Sequence, residues 1–232
     1  QRNESVTALI GSRLIPTLEL VLGAMLISLL IAIPAGVLAA FKRGTYIDSI
    51  LTYLSVTIFS MPGFWVGLLA IMLFSVQLGW FPVSGRDGAP FSATWASHLI
   101  LPAFILGIRQ AAMFMRVVRS SVLDVLHEHY VRTARGKGLR NATVAIKHVV
   151  RNSLIPIVTI VGLQLPELIS TALIIENVFN WPGLGSLLYD SVLKRDYPLV
   201  QGIVVAYSLV AVLSNTIIDA LYGVMDPRIK VA

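Results

Sequence analysis

The sequence predicts an all-α membrane protein, a polytopic bundle of five transmembrane helices, on three observations. Hydrophobic residues make up 56% of the 232-residue chain and charged residues 13%, with a mean hydropathy of +0.80; an ordinary globular chain is about 25% charged. The apolar residues are gathered into blocks of 20 or more, enough to cross the roughly 30 Å hydrocarbon core as a helix. None of the blocks alternates as barrel strands do, and a helix satisfies its own backbone groups in lipid where an open strand does not. The apolar surplus excludes disorder. The absence of cysteine excludes a disulfide scaffold and leaves the redox compartment open.

Residues 1–17 read as an amphipathic extracytoplasmic lead-in. The first block, residues 18–40, carries no charge after Glu19 and is followed by Lys42-Arg43. The second, residues 47–76, has Asp48 at its start and Met61-Pro62-Gly63 near its middle. Its 30 residues fit either one tilted helix or a helix broken at Pro62, which removes a donor and clashes with the preceding turn. The third, residues 99–118, contains Arg109 and Arg116. The fourth, residues 154–175, contains Pro156, Pro166 and Glu167; the fifth, residues 199–221, ends with Asn215 and Asp219.

Net charge is +6 and the isoelectric point about 9.8, but the cations sit in short segments between apolar blocks, which argues against nucleic acid and for a charged membrane side. Twelve of the 18 Lys and Arg fall on one set of segments (Lys42, Arg43, Arg116, Arg119, Arg132, Arg135, Lys137, Arg140, Lys147, Arg151, Arg228, Lys230) and five on the other (Arg2, Arg13, Arg86, Lys194, Arg195). The richer side is the cytoplasmic one, with the C-terminus inside and the N-terminus outside. The chain starts with Gln and has no signal-peptide h-region, so an outside N-terminus leads us to expect a preceding span and a fragment of a longer protein.

Between the third and fourth blocks, residues 119–153 form a polar cytoplasmic loop. A first helix covers about residues 126–137, with Tyr130, Val131 and Ala134 on one side and Arg132 and Arg135 on another. Gly136 and Gly138 end it, and Asn141 caps a second helix through Val144, Ala145 and Val149. Such a basic amphipathic helix lies on anionic lipid, serves as a solvated connector, or docks in a groove of another protein.

The run His129-Tyr130-Val131-Arg132-Thr133-Ala134-Arg135-Gly136-Lys137-Gly138-Leu139, followed by Arg151-Asn152-Ser153-Leu154-Ile155-Pro156, resembles the EAA loop of ABC importer permeases, in the variant of the dipeptide/oligopeptide/nickel branch. In the general pattern Glu-Ala-Ala is followed after three residues by Gly; here Arg132-Thr133-Ala134 takes the triplet's place and Gly138 is the glycine. Arg132 departs from the general acid, and Val150-Arg151 stands where the general Leu-Pro would be. Ile33-Pro34-Ala35-Gly36-Val37-Leu38-Ala39-Ala40 is similar to the end of that branch's second helix, and Glu176-Asn177-Val178-Phe179-Asn180-Trp181-Pro182-Gly183-Leu184-Gly185 to its outside loop after the fifth. Arg195-Asp196-Tyr197-Pro198 and Asp226-Pro227-Arg228 match the lead-in and end of the last helix. Members usually have six helices, so five fit a chain lacking the first.

The resemblance implies a single permease domain over residues 18–232, in a bacterial or archaeal plasma membrane, forming half of a pathway for short peptides. It implies a second, homologous permease, two ABC ATPase subunits, an extracytoplasmic solute-binding protein and peptide cargo as partners, besides membrane lipid. Tyr130, Val131, Arg132, Thr133, Ala134, Gly138 and Leu139 would dock the ATPase. Trp181, Pro182, Gly183 and Gly185 would edge the outer vestibule. The chain has no GxxxxGK[ST] phosphate loop and no nucleophile elbow, so it is expected to be a transporter subunit and not an enzyme, needing neither cofactor nor metal. His127, His129 and His148 read as ordinary surface histidines.

Glu167 either contacts a cationic group of the cargo or is a hydrogen-bonded carboxyl beside the break at Pro166. Arg109 either pairs with Glu167 or points into the pore. The alternatives to peptide import are the same machinery carrying nickel or glutathione, and an ion-coupled secondary transporter, which usually shows midplane carboxylates and internal repeats; of these Glu167 is the one feature present.

Overall fold

A computed structural model describes residues 5–136, 153 and 160–225. Among these the regular structure is wholly helical. Helix α1 (Val6–Phe41) is 36 residues long, about 54 Å at the α-helical rise. The expected lead-in is therefore, from Val6 on, the first turns of the same helix. Ser5 caps it by accepting the Ala8 N–H at 3.3 Å.

A turn through Gly44, whose φ of 77° suits a residue without Cβ, leads into α2 (Tyr46–Ser60). Met61 and Pro62 interrupt the second block, with Pro62 in an extended conformation, so of the two sequence readings the broken helix holds. Helix α3 (Gly63–Ala70) runs on into a π-helical stretch, Ile71–Gln77. Helix α4 (Ala93–Leu126) begins beyond Ser92, whose Oγ accepts the Trp95 N–H, and extends eight residues past the expected end at Val118. The polar loop is correspondingly shorter, and its first helix, α5 (His129–Gly136), starts at His129. A turn at Gln164 precedes α6 (Leu165–Val178); α7 (Leu184–Leu193) and α8 (Tyr197–Met225) follow. Residues 154–159 of the fourth expected span, and the second loop helix, lie outside the described residues.

Among the described residues, three helices are long and apolar enough to cross a membrane: Val6–Phe41, Ala93–Leu126 and, in α8, Tyr197–Thr216. The bent pair Tyr46–Ser60 and Gly63–Gln77 is a fourth candidate if it counts as one span.

The chain divides into two compact units. The first comprises Gln1–Ile27, Met61–Ile108 and Gln164–Ile217; its cluster of Leu9, Leu187, Leu199 and Ile203 joins the start of α1 to α7 and α8. The second comprises Ser28–Ser60, Arg109–Leu163 and Ile218–Ala232; its cluster of Ala40, Val118, Val122 and Val131 joins the end of α1, α4 and α5.

Candidate coupling helix and translocation elements

In the second unit, Val131 is the buried residue among the described side chains of α5. Val131 is fully buried against Ala40, Val118 and Val122, with Ile33, Val37 and Leu126 packed around them. The resemblance placed Val131 among the residues that would dock the ATPase; its side chain packs into the core of its own unit, at the ends of α1 and α4. Tyr130 keeps 42% exposure and Thr133 is exposed, its hydroxyl donating to His129 O at 3.0 Å. With His129 they are the exposed side chains described on α5. Arg132 and Ala134 lie on the same helix; Gly138 and Leu139 lie outside the described residues.

The frame around α5 is tight. A Cβ on Gly36 would lie 2.6 Å from Val118 Cβ and 2.7 Å from Met115 O, so the glycine in Ile33-Pro34-Ala35-Gly36 lets α1 and α4 touch backbone to backbone. Small residues at such a crossing are how helices associate where lipid is as apolar as the helix faces. Asp48 on α2 accepts from Arg119 on α4 through both oxygens, at 2.7 and 2.8 Å, and from the Gly44 N–H at 3.1 Å. A bidentate fork of this kind fixes orientation as well as distance.

Further along α4, Arg109 and Arg116 both lie over the Phe59 ring, their Cζ atoms 5.2 and 5.3 Å from its centroid. Glu167 sits in the first turn of α6 and is exposed; the backbone carbonyl of that residue accepts the Thr171 hydroxyl. A carboxylate in a first turn complements the unsatisfied N–H groups there.

In the first unit, the segment from Glu176 to Gly185 is organised around a carboxylate to which the sequence analysis gave no role of its own. Glu176 has no exposed surface. Its oxygens accept from Thr17 Oγ1 at 2.6 Å, the Gly185 N–H at 2.7 Å and the Ser186 N–H at 3.2 Å. Thr17 Oγ1 in turn accepts the Leu184 N–H at 2.8 Å. Any Cβ on Gly183 would collide with the Glu176 carboxylate, so the Pro-Gly-Leu-Gly run is spelled by the space this carboxylate occupies. Trp181 is also fully buried and donates from Nε1 to Pro16 O at 2.8 Å; Pro182 is half-buried and Gly183 and Gly185 are buried. The four residues expected at the outer vestibule thus come together, with their buried side turned to α1 and α6.

A second clasp ties the loop before α4 to α1. Arg86 donates to Glu19 from Nε at 2.7 Å and Nη2 at 2.8 Å, and Trp95 Nε1 donates to the same carboxylate at 3.1 Å. Hydrogen bonding to that carboxylate raises the Arg86 pKa above its ordinary value, against the opposing pull of burial. The signal for both clasps was present as Glu19, Arg86, Thr17 and Glu176, but partners 67 and 159 residues apart are not linked by any local pattern.

Comparison with known proteins places this architecture. The family model described as "Binding-protein-dependent transport system inner membrane component" matches residues 32–231. The chain is 42% identical to the oligopeptide transport system permease protein AppB of Bacillus subtilis over 99% of its length and 74% of that protein's. It is 43% identical to the dipeptide transport system permease protein DppB of Escherichia coli (92% of this chain, 70% of that one). It is 42% identical to the glutathione transport system permease protein GsiC of E. coli, with 95% and 70% covered. Among solved structures, the inward-facing MetNI methionine ABC transporter aligns with a TM-score of 0.78 at 17% identity, over 97% of this chain and 100% of that one. An amino acid ABC transporter with histidines aligns at 0.64 and 17%, over 96% and 95%. At that identity the structures speak for the fold alone.

Proposed function

The chain belongs to the family of binding-protein-dependent transport system inner membrane components, a multi-pass membrane permease and not itself an enzyme, and from that premise we propose that it imports short peptides. In this reading it forms half of the translocation pathway beside a homologous permease. An extracytoplasmic binding protein delivers cargo, and two separate ATPase subunits supply the energy. The observation that carries the cargo class is the 42–44% identity to oligopeptide, dipeptide and di/tripeptide permeases over more than nine-tenths of the chain. Glutathione, itself a small peptide, is the second reading, favoured by the comparable identity to its permease.

The coupling element of this proposal is α5. A short helix rooted by a buried Val131 and exposing Tyr130 and Thr133 is suited to pass a push from outside into α1 and α4, since packed side chains transmit displacement where a mobile loop would absorb it. The excess of Lys and Arg on the α5 side supports a cytoplasmic position for it and for the C-terminus. Glu167 and Arg109 are proposed to line the pathway, and Trp181, Pro182, Gly183 and Gly185 to stabilise the outer mouth where the binding protein docks. Gly138 and Leu139 are proposed to complete the ATPase contact.

Reconstitution tests the function. Vesicles holding this chain, its partner permease and the ATPases are expected to accumulate labelled dipeptide with ATP inside and binding protein outside, and not with either omitted. Uptake driven by an ion gradient without the ATPases would contradict the proposal.

A further inference from the structure

We propose that Arg109, Arg116 and Phe59 form an anion subsite that receives the carboxylate of the cargo during translocation, an inference that rests on the peptide-import reading above. The two arginines are seven residues apart on α4, two helical turns, and so share a face. Each guanidinium carbon lies within 5.3 Å of the centroid of the same Phe59 ring; the two centres are therefore no more than about 10.5 Å apart, since each is within cation–π range of that ring. Like charges this close repel, and a ring quadrupole offsets only part of that. Among the described residues neither arginine has a carboxylate partner. The contrast lies on the same two helices: α2 supplies Asp48 to neutralise Arg119 through both its oxygens, and at its other end supplies only a ring to Arg109 and Arg116. Arg109 is half-buried and lies near the midpoint of a helix long enough to span the membrane. An intramembrane cation without an acid marks a substrate path more readily than a structural tie. Phe59 holds the planar guanidiniums without using their hydrogen-bonding edges, which leaves the forks open to a carboxylate. Phe59 lies two residues before Met61, where the second block breaks.

The test uses the complete importer in phosphatidylcholine vesicles, comparing uptake of a labelled dipeptide with that of its C-terminal amide, each saturating the binding protein. The wild-type complex is expected to favour the free acid. Arg109→Gln with Arg116→Gln is expected to lower the acid-to-amide ratio roughly ten- to one-hundred-fold, as for a lost charge-assisted hydrogen bond; Arg109→Lys with Arg116→Lys is expected to retain a preference. A ratio unchanged in the glutamine variant, or no preference in wild type, overturns the proposal. So does a loss that appears only with anionic lipid and affects acid and amide alike, which would assign the arginines to a lipid headgroup. If the double glutamine variant does not assemble, the single variants Arg109→Gln and Arg116→Gln decide: a lowered acid-to-amide ratio in either supports the subsite and an unchanged ratio in both overturns it. Wild-type uptake of neither peptide is a different result, and defeats the cargo reading itself.

Discussion

At the scale of single residues, the packing of α1, α6 and α7 in the first unit turns on one carboxylate. Glu176 takes three hydrogen bonds from two parts of the chain, Thr17 on α1 and the adjacent Gly185 and Ser186 on α7, and has no contact with solvent. Removing one donor from a buried charge leaves its desolvation uncompensated. Thr17→Val is therefore expected to destabilise the protein by about 1.5–3 kcal/mol, read as an earlier unfolding midpoint in detergent. Thr17 also accepts from Leu184, so the same change loosens the start of α7. Tyr207 makes the opposite case. Its hydroxyl is buried with no hydrogen-bond partner among the described residues, and Tyr207→Phe is expected to leave stability unchanged or raise it by about 1 kcal/mol. The sequence showed Glu176 only as the first letter of an outside-loop motif. What it could not show was that the loop's glycines make room for the carboxylate, because that depends on Thr17 arriving from 159 residues away.

At the scale of elements, α5 and the frame beneath it form the part of the molecule suited to move as one piece. Val131→Asp places a charge in a fully buried apolar cluster, a change expected to cost about 3 kcal/mol or more locally and to release α5. The expected result is a complex that still inserts in the membrane and hydrolyses ATP but has lost most peptide uptake; undiminished uptake would show that α5 need not be anchored. Element type was legible from hydropathy, since α1, α4 and α8 are long apolar runs. Element ends were not. Helix α1 reaches back to Val6 and α4 forward to Leu126; for α4, Arg119 finds Asp48 on α2, and a window that reads charge as a boundary stops short of it. The break at Met61 and Pro62 was legible as one of two alternatives, since proline chemistry is local.

At the scale of the whole molecule, family membership and fold agree on a membrane permease, and the motifs that suggested it occupy structural positions with a reason. Gly36 is at a close α1–α4 contact, Glu176 through Gly185 is the carboxylate clasp, and His129–Gly136 is the anchored helix. Orientation and coupling are the claims on which the account turns, and the sequence offers a clean way to test them because it contains no cysteine. Thr133→Cys introduces a single thiol on the exposed side of α5. In the assembled complex it is expected to cross-link to the ATPase subunit with a short bifunctional reagent, and to react with a membrane-impermeant maleimide in inside-out vesicles only. Labelling from the outer face of intact cells, or failure to reach the ATPase in a complex that still transports, would contradict a coupling role for α5.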